Sequence, residues 1–144
     1  MQFTSLATLI AAAAALATSA VATKVTWDSV YDNRKGDLNT VACSDGKNGL
    51  ITKGYTTFGS LPDFPYIGGA SAVTGWNSTG CATCWKLTYK DKSIEILAID
   101  HADEGFNISQ EAMLELAGTD GVNAGEIDAD EIKLTNIQCG IQDY

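Results

Sequence analysis

Four cysteines, Cys43, Cys81, Cys84 and Cys139, lie beyond an uncharged N-terminal run that ends only at Lys24, and this combination constrains the chain more than any other feature. The centre of that run, Leu6 to Ala17, is built of Leu, Ile, Ala and Thr, too short and too rich in alanine for a membrane span. Ala20-Val21-Ala22 then supplies the small-x-small pattern that signal peptidase reads, so residues 1–22 are expected to be a signal peptide and 23–144 one mature domain. The positive charge ahead of the apolar run is only the terminal amine. Secretion, with no membrane attachment after cleavage, places the thiols in an oxidising compartment. An even number of cysteines there implies two disulfides, for which three pairings are open.

Cys81-Ala82-Thr83-Cys84 has the spacing of a redox motif or half a zinc knuckle. The chain has no second closely spaced pair, and its single histidine is His101, which argues against both readings. No metal and no cofactor is expected. The two central cysteines reach outward to distant partners more naturally than to each other. One such arrangement, Cys43 with Cys81 and Cys84 with Cys139, would close two loops worth roughly 4 kcal/mol each on the chain-entropy model.

Nine Lys plus Arg against eighteen Asp plus Glu give a net charge of −9, and none of the ionised side chains lies in the first 22 residues. Such a chain has no basic excess to neutralise phosphates, so nucleic acids and anionic membranes are excluded as partners. Copies of one small domain carrying this charge repel, and a monomer is expected.

The mature chain reads as β-rich. Val25 to Tyr31, dominated by β-branched and aromatic residues, is expected to be a first strand, and Leu50 to Phe58 a short one. Gly59 to Gly75 carries both prolines and four glycines and reads as a long irregular segment. Trp85, Leu87 and Tyr89 alternate with Lys86 and Thr88, and Ser93 to Asp100 follows a polar turn at Lys90-Asp91-Lys92; this is the strongest hairpin signal. Ser109 is placed to N-cap a helix with Ala112, Met113, Leu116 and Ala117 on one face and Gly118 at its end. A loop from Thr119 to Asp130 is expected to lead to a strand from Glu131 to Gln138, with the acidic cluster Glu126, Asp128, Asp130 and Glu131 read as solvated. About six strands and one helix result.

Three runs are more specific: Val41-Ala42-Cys43-Ser44-Asp45-Gly46; Gly75-Trp76-Asn77-Ser78 leading into Cys81-Ala82-Thr83-Cys84-Trp85-Lys86; and Asp100 followed by Gly105-Phe106-Asn107. With the late Cys139 they closely resemble, in order and over essentially the whole mature chain, the cerato-platanin family of small secreted fungal proteins. The resemblance implies a mostly β fold, a six-stranded double-psi β-barrel with one or two short helices, shared with expansin-like domains, barwin-type proteins and a group of inverting endoglucanases. It implies the pairing Cys43–Cys81 and Cys84–Cys139. It further implies non-hydrolytic, expansin-like action on cellulosic material, binding of N-acetylglucosamine oligomers, and detection by plants, hence by plant receptors, as a defence elicitor.

Residue by residue, Asp100 matches the acid that the family shares with expansins and endoglucanases, at the end of an apolar strand that delivers it to a loop mouth. Asn107 matches the family's asparagine at the end of the same loop, where an amide both donates to and accepts from sugar hydroxyls. Trp27, Asp28 and Tyr31 are candidates for lining the groove, although strand alternation puts Trp27 and Asp28 on opposite faces. Trp76 and Trp85 are of the right type to stack on sugar rings, but an aromatic beside a disulfide is more often core, as is Phe106. The carbohydrate-binding set is therefore Asp100, Asn107, Asp28 and Tyr31, with no catalytic residue assigned.

The alternative is a weak inverting hydrolase using Asp100 and Asp28, which would require their carboxyls roughly 6.5–9.5 Å apart. The loop Asp100 to Asn107 is more acidic than the family pattern and partly imitates a calcium loop, but Ala102 occupies the third position and no helix precedes it. His101 reads as a solvated residue that charges below about pH 6.5. Asn77-Ser78-Thr79 and Asn107-Ile108-Ser109 are glycosylation sequons, and a glycan on Asn107 would occupy the proposed groove.

Overall fold

The computed structural model describes residues 19–142. The apolar segment Leu6 to Ala17 lies outside the described residues. Six strands, β1 (Val21–Trp27), β2 (Ile67–Ala70), β3 (Cys84–Tyr89), β4 (Lys92–His101), β5 (Phe106–Ile108) and β6 (Glu126–Leu134), close into a barrel in the order β1-β5-β2-β4-β3-β6. One helix, α1 (Gln110–Ala124), joins β5 to β6. The closed six-stranded barrel and both implied disulfides, Cys43–Cys81 and Cys84–Cys139, are present.

The β3–β4 hairpin forms where the alternation placed it, with Leu87 opposite Ile94 and Tyr89 opposite Lys92. Along β4, Ile94 and Ile96 are buried between exposed Ser93 and Glu95, and then Leu97, Ala98 and Ile99 are buried in succession. The change of pattern has a cause. The strand's second half is covered on its outer side by the disulfide-tied loops: Cys43 N donates to Ile99 O at 3.1 Å, and Ala98 N donates to Thr83 O at 2.9 Å.

Several expectations are corrected. The first strand starts earlier and stops at Trp27, because Asp28 Oδ1 accepts from Val30 N at 2.9 Å and turns the chain into a 3-10 turn over Ser29–Asp32. Val21 and Ala22, ahead of the expected cleavage point, already pair with Glu131 and Asp130. Leu50 to Phe58 is no strand but a set of turns, with Gly54 at φ +100° and Phe58 opening a 3-10 turn.

The Gly- and Pro-rich segment conceals β2, whose four residues are all buried. A Cβ on Gly68 would lie 2.3 Å from Asn107 O, and one on Gly69 would lie 2.8 Å from His101 O. The glycine pair is what lets β2 fit between β4 and β5. Last, Glu126, Asp128 and Asp130 are the outward face of β6, not a loop, while Ile127 and Ala129 point inward. Lys24 on β1 offsets part of this charge, at 2.9 Å from Glu126 and 3.4 Å from Glu104.

The helix starts at Ser109, whose Oγ accepts from Ala112 N at 3.1 Å and donates to Pro65 O at 2.5 Å. Asp32 adds a further cap, this one anionic, accepting from Gln110 N and Glu111 N at 2.8 and 2.9 Å. Ala112, Met113, Leu116 and Gly121 form the buried side. Gly118, at φ +67°, breaks the helix without ending it; the chain resumes helical form and stops at Gly125, at φ +79°.

Candidate functional site

The strand order places the candidates around one glycine. Gly69 is in register with Asp100 on its β4 side and with Asn107 on its β5 side, and Asn107 is in register with Thr26 on β1. Two inter-strand steps, about 10 Å, therefore separate the backbones of Asp100 and Asn107, with no side chain standing between them. Asp28 follows at the end of β1, where its own N donates to Ile108 O at 2.9 Å. The candidates, from sequence positions as far apart as 28 and 107, converge on one end of the barrel.

Asp100 is half-buried and held by three hydrogen bonds, which leave Oδ2 with acceptor capacity to spare. Its Oδ1 accepts from Ala42 N at 3.0 Å and from His101 N at 2.9 Å, and its Oδ2 accepts from the Tyr31 hydroxyl at 2.9 Å. Tyr31 is only 4% exposed, and its ring packs near Phe58 at 6.2 Å between centroids. It reaches the site through its hydroxyl alone and offers no ring face to a ligand. Burial, and next the Asp100 charge and hydrogen bond, push the phenol pKa far above its ordinary value, so Tyr31 is a permanent donor. Asp28 is exposed and adds a weaker push on the same phenol, which places its charge on the Tyr31 side of the site.

Asn107 is half-buried, and its Oδ1 accepts from Thr26 Oγ1 at 2.9 Å. This fixes the amide so that its NH2 faces away from Thr26. Trp27 takes no part: its Nε1 donates to Val122 O at 3.0 Å and its ring packs on the core. Trp85 also packs on the core, edge-on to buried Phe106 at 5.5 Å.

Trp76 departs from the core expectation. It is 62% exposed, and its Nε1 donates to Asp45 Oδ1 at 2.7 Å. Its neighbour Asn77, at φ +58°, accepts from Asn48 N and Asn48 Nδ2 at 3.0 Å each, through its side-chain and backbone oxygens respectively. The loop carrying them is tied to the end of β4 by His101, whose Nδ1 lies 2.7 Å from Val73 O. His101 Nε2 lies 2.9 Å from Asp103 Oδ1. Both partners only accept, so the ring satisfies both when doubly protonated, and the Val73 carbonyl first and Asp103 second raise its pKa above 6.5. His101 is thus a clamp between two loops, not a free solvated residue.

Sequence reasoning missed the amides of Ala42 and His101 that hold Asp100, and the role of Gly69 as the gap beside it. The Gly68-Gly69 pair is the one local signal that could have shown the latter. No group of three or more His, Cys, Asp or Glu suited to a metal ion is found among the described residues.

Comparison with known proteins agrees with this architecture. The family model described as Cerato-platanin matches residues 23–141. A heat-stable 19 kDa antigen of Coccidioides immitis is 39% identical over 99% of this chain and 100% of its own. The crystal structure of cerato-platanin 3 from M. perniciosa superposes with a TM-score of 0.80 at 42% identity, covering 84% of this chain and 100% of that one. The solution structure of the fungal elicitor cerato-platanin gives a TM-score of 0.72 at 33% identity, covering 81% and 95%. With its barrel, its two disulfides and a match across nearly all of its described residues, the chain belongs to the cerato-platanin family.

Proposed function

We propose that this protein is a secreted, non-hydrolytic glycan-binding protein that loosens polysaccharide in the manner of expansins, acting on cellulosic wall material or on N-acetylglucosamine oligomers. The observation that carries the reading is the Asp100–Gly69–Asn107 row: a carboxylate held by three hydrogen bonds and an oriented amide, flanking a position with no side chain. A carboxylate so held is a fixed acceptor for sugar hydroxyls, and the amide supplies donors beside it. Binding that competes with glycan–glycan hydrogen bonds needs no covalent step. A secreted protein of this kind is exposed to a host, and one structural relative is the fungal elicitor cerato-platanin; plant receptors are therefore proposed as further partners.

The test is to incubate oxidised protein with swollen cellulose and with chitin, recording bound fraction and new reducing ends beside an Asp100→Asn variant. Binding without new reducing ends, weakened severalfold in the variant, is expected. Reducing ends that vanish in the variant would make the protein a hydrolase and Asp28 its second carboxylate.

A further inference from the structure

The fold treats the two glycosylation sequons differently. Asn77-Ser78-Thr79 runs through two consecutive turns of the loop that the Cys43–Cys81 disulfide ties down: Ser78 N donates to Gly75 O at 3.2 Å, and Cys81 N donates to Ser78 O at 3.1 Å. Asn77 stands at φ +58°, which asparagine adopts more readily than most residues. Its Oδ1 is turned inward, accepting from Asn48 N at 3.0 Å and packing on Gly46, where a Cβ would lie 2.7 Å away. Its Nδ2 points the other way and donates to nothing. Among the described residues that are not themselves exposed, Asp63 Oδ2 is the only side-chain oxygen or nitrogen both buried and unpartnered, so Asn77 Nδ2 is open to solvent.

Asn107 also carries an unpartnered Nδ2, so the amide alone does not separate the two. The rest of each sequon does. The signal requires a hydroxyl two residues after the asparagine, and working acceptors lie on surface loops. Thr79 is exposed, and its side chain makes no hydrogen bond. Ser109 is fully buried: its Oγ donates to Pro65 O and accepts from Ala112 N, capping α1. The backbone differs in the same sense, because Asn107 is paired with Thr26 on β1 and with Gly69 on β2, whereas Asn77 occupies a turn. Presenting Asn107 with Ser109 means opening the barrel and the start of the helix; presenting Asn77 with Thr79 means neither.

We infer that Asn77 is a covalent N-glycosylation site and that Asn107, in spite of its sequon, stays bare. The donor is an oligosaccharide joined through pyrophosphate to a lipid. Asn77 Nδ2 bonds to C1 of the first sugar, the C1–O bond to the pyrophosphate breaks, the lipid pyrophosphate leaves with that electron pair, and one Nδ2 proton passes to a base. Oδ1 is untouched, so the bond from Asn48 N survives. The attached sugar meets Trp76: a Cβ on Gly46 would lie 2.9 Å from Asn77 Cγ and 3.1 Å from Trp76 Cζ2, so amide and indole pack side by side on one glycine, and the sugar screens part of an exposed ring. A bare Asn107 keeps its amide available beside Asp100. The inference rests on the secretion proposed above and is independent of what the Asp100 site binds.

The test is to express the full chain in a filamentous fungus and map both asparagines in the protein from the medium by peptide mass spectrometry, after amidase release that leaves aspartate wherever a glycan stood. Asn77 is expected to be converted and Asn107 to be intact. Thr79→Ala leaves Asn77 and its bonds in place and should abolish the modification, and acrylamide should then quench Trp76 more strongly than in wild type. An unmodified Asn77 in the secreted wild type, a glycan on Asn107, or modification that persists in Thr79→Ala would each overturn the assignment; equal quenching would overturn the contact with Trp76. A chain held in the cells with residues 1–22 attached would overturn the secretion and the site together, and its location distinguishes that result from failure at Asn77 alone.

Discussion

The Tyr31 hydroxyl donates to Asp100 Oδ2 at 2.9 Å and so joins the turn after β1 to the end of β4 across 69 residues of sequence. Asp100 is consequently positioned by its surroundings on three sides: by a buried phenol, by the Ala42 amide from the disulfide-tied loop and by the amide of the next residue.

Removing only the hydroxyl isolates that contact. Tyr31→Phe keeps the ring in its buried place, loses a charge-assisted hydrogen bond, and should cost about 1–2 kcal/mol. Urea unfolding should show a lower midpoint at unchanged slope. Retention on chitin or cellulose should fall severalfold as Asp100 loses one of its three constraints. Unchanged retention would mean that the two backbone amides suffice.

Trp76 should dominate the fluorescence accessible to quenchers. Trp27 and Trp85 pack on the core and Trp76 is 62% exposed, so acrylamide should quench mainly the Trp76 component. Trp76→Phe should remove that component and change stability by no more than about 0.5 kcal/mol, as befits an exposed side chain. A strongly quenched residual signal would contradict the burial of the other two.

His101 should titrate above 6.5. Its folded pKa is raised, so the clamp between the loops at Val73 and Asp103 is complete below 6.5 and is lost as pH rises through the folded value. The ring proton shifts of this single histidine report the pKa directly. Asp103→Asn should lower it while leaving it above 6.5, since the Val73 carbonyl is the larger cause.

Asp63 imposes the opposite of the usual carboxylate trend. Its pKa of about 8 lies above the unfolded value of 3.8, so its contribution to stability is full below 3.8 and is lost as pH rises through about 8. The groups facing it are Glu95 on β4, Glu115 on α1, Lys86 on β3 and Tyr66 in its own segment. The side chain is partly open to solvent, which reduces the expected loss to the order of 2 kcal/mol. The urea midpoint should therefore fall from about pH 5 to about pH 9 in wild type, and this fall should flatten in Asp63→Asn. A parallel fall in both proteins would assign the pH dependence to other groups.

What was legible in the sequence was local. The β3–β4 hairpin shows in the alternation of Trp85, Leu87 and Tyr89, the helix start in Ser109, and the position of Asp100 in the apolar run before it, because each signal depends on residues within one turn or one pleat. The four cysteines implied two cross-links, and the resemblance supplied their pairing. The misreadings share a cause. Gly68-Gly69 looks like loop composition yet is a buried strand, because its neighbours β4 and β5 approach too closely for a Cβ. Glu126 to Asp130 looks like a solvated loop yet is a strand, because β1 and β3 pair with it on both sides and only its outward face carries charge.

By itself, then, the sequence determined a β-rich, disulfide-tied chain of strong negative charge with a carboxylate at a strand end. The tertiary structure alone decided which tryptophan is exposed, that Tyr31 serves Asp100 through its hydroxyl, that Asp100 and Asn107 flank Gly69, and that one oxygen of the Asp63 carboxyl is buried without a partner. Those outcomes depend on which distant segment covers a given side chain, and covering is a property of the closed barrel and its tied loops that no residue's immediate neighbours in the chain encode.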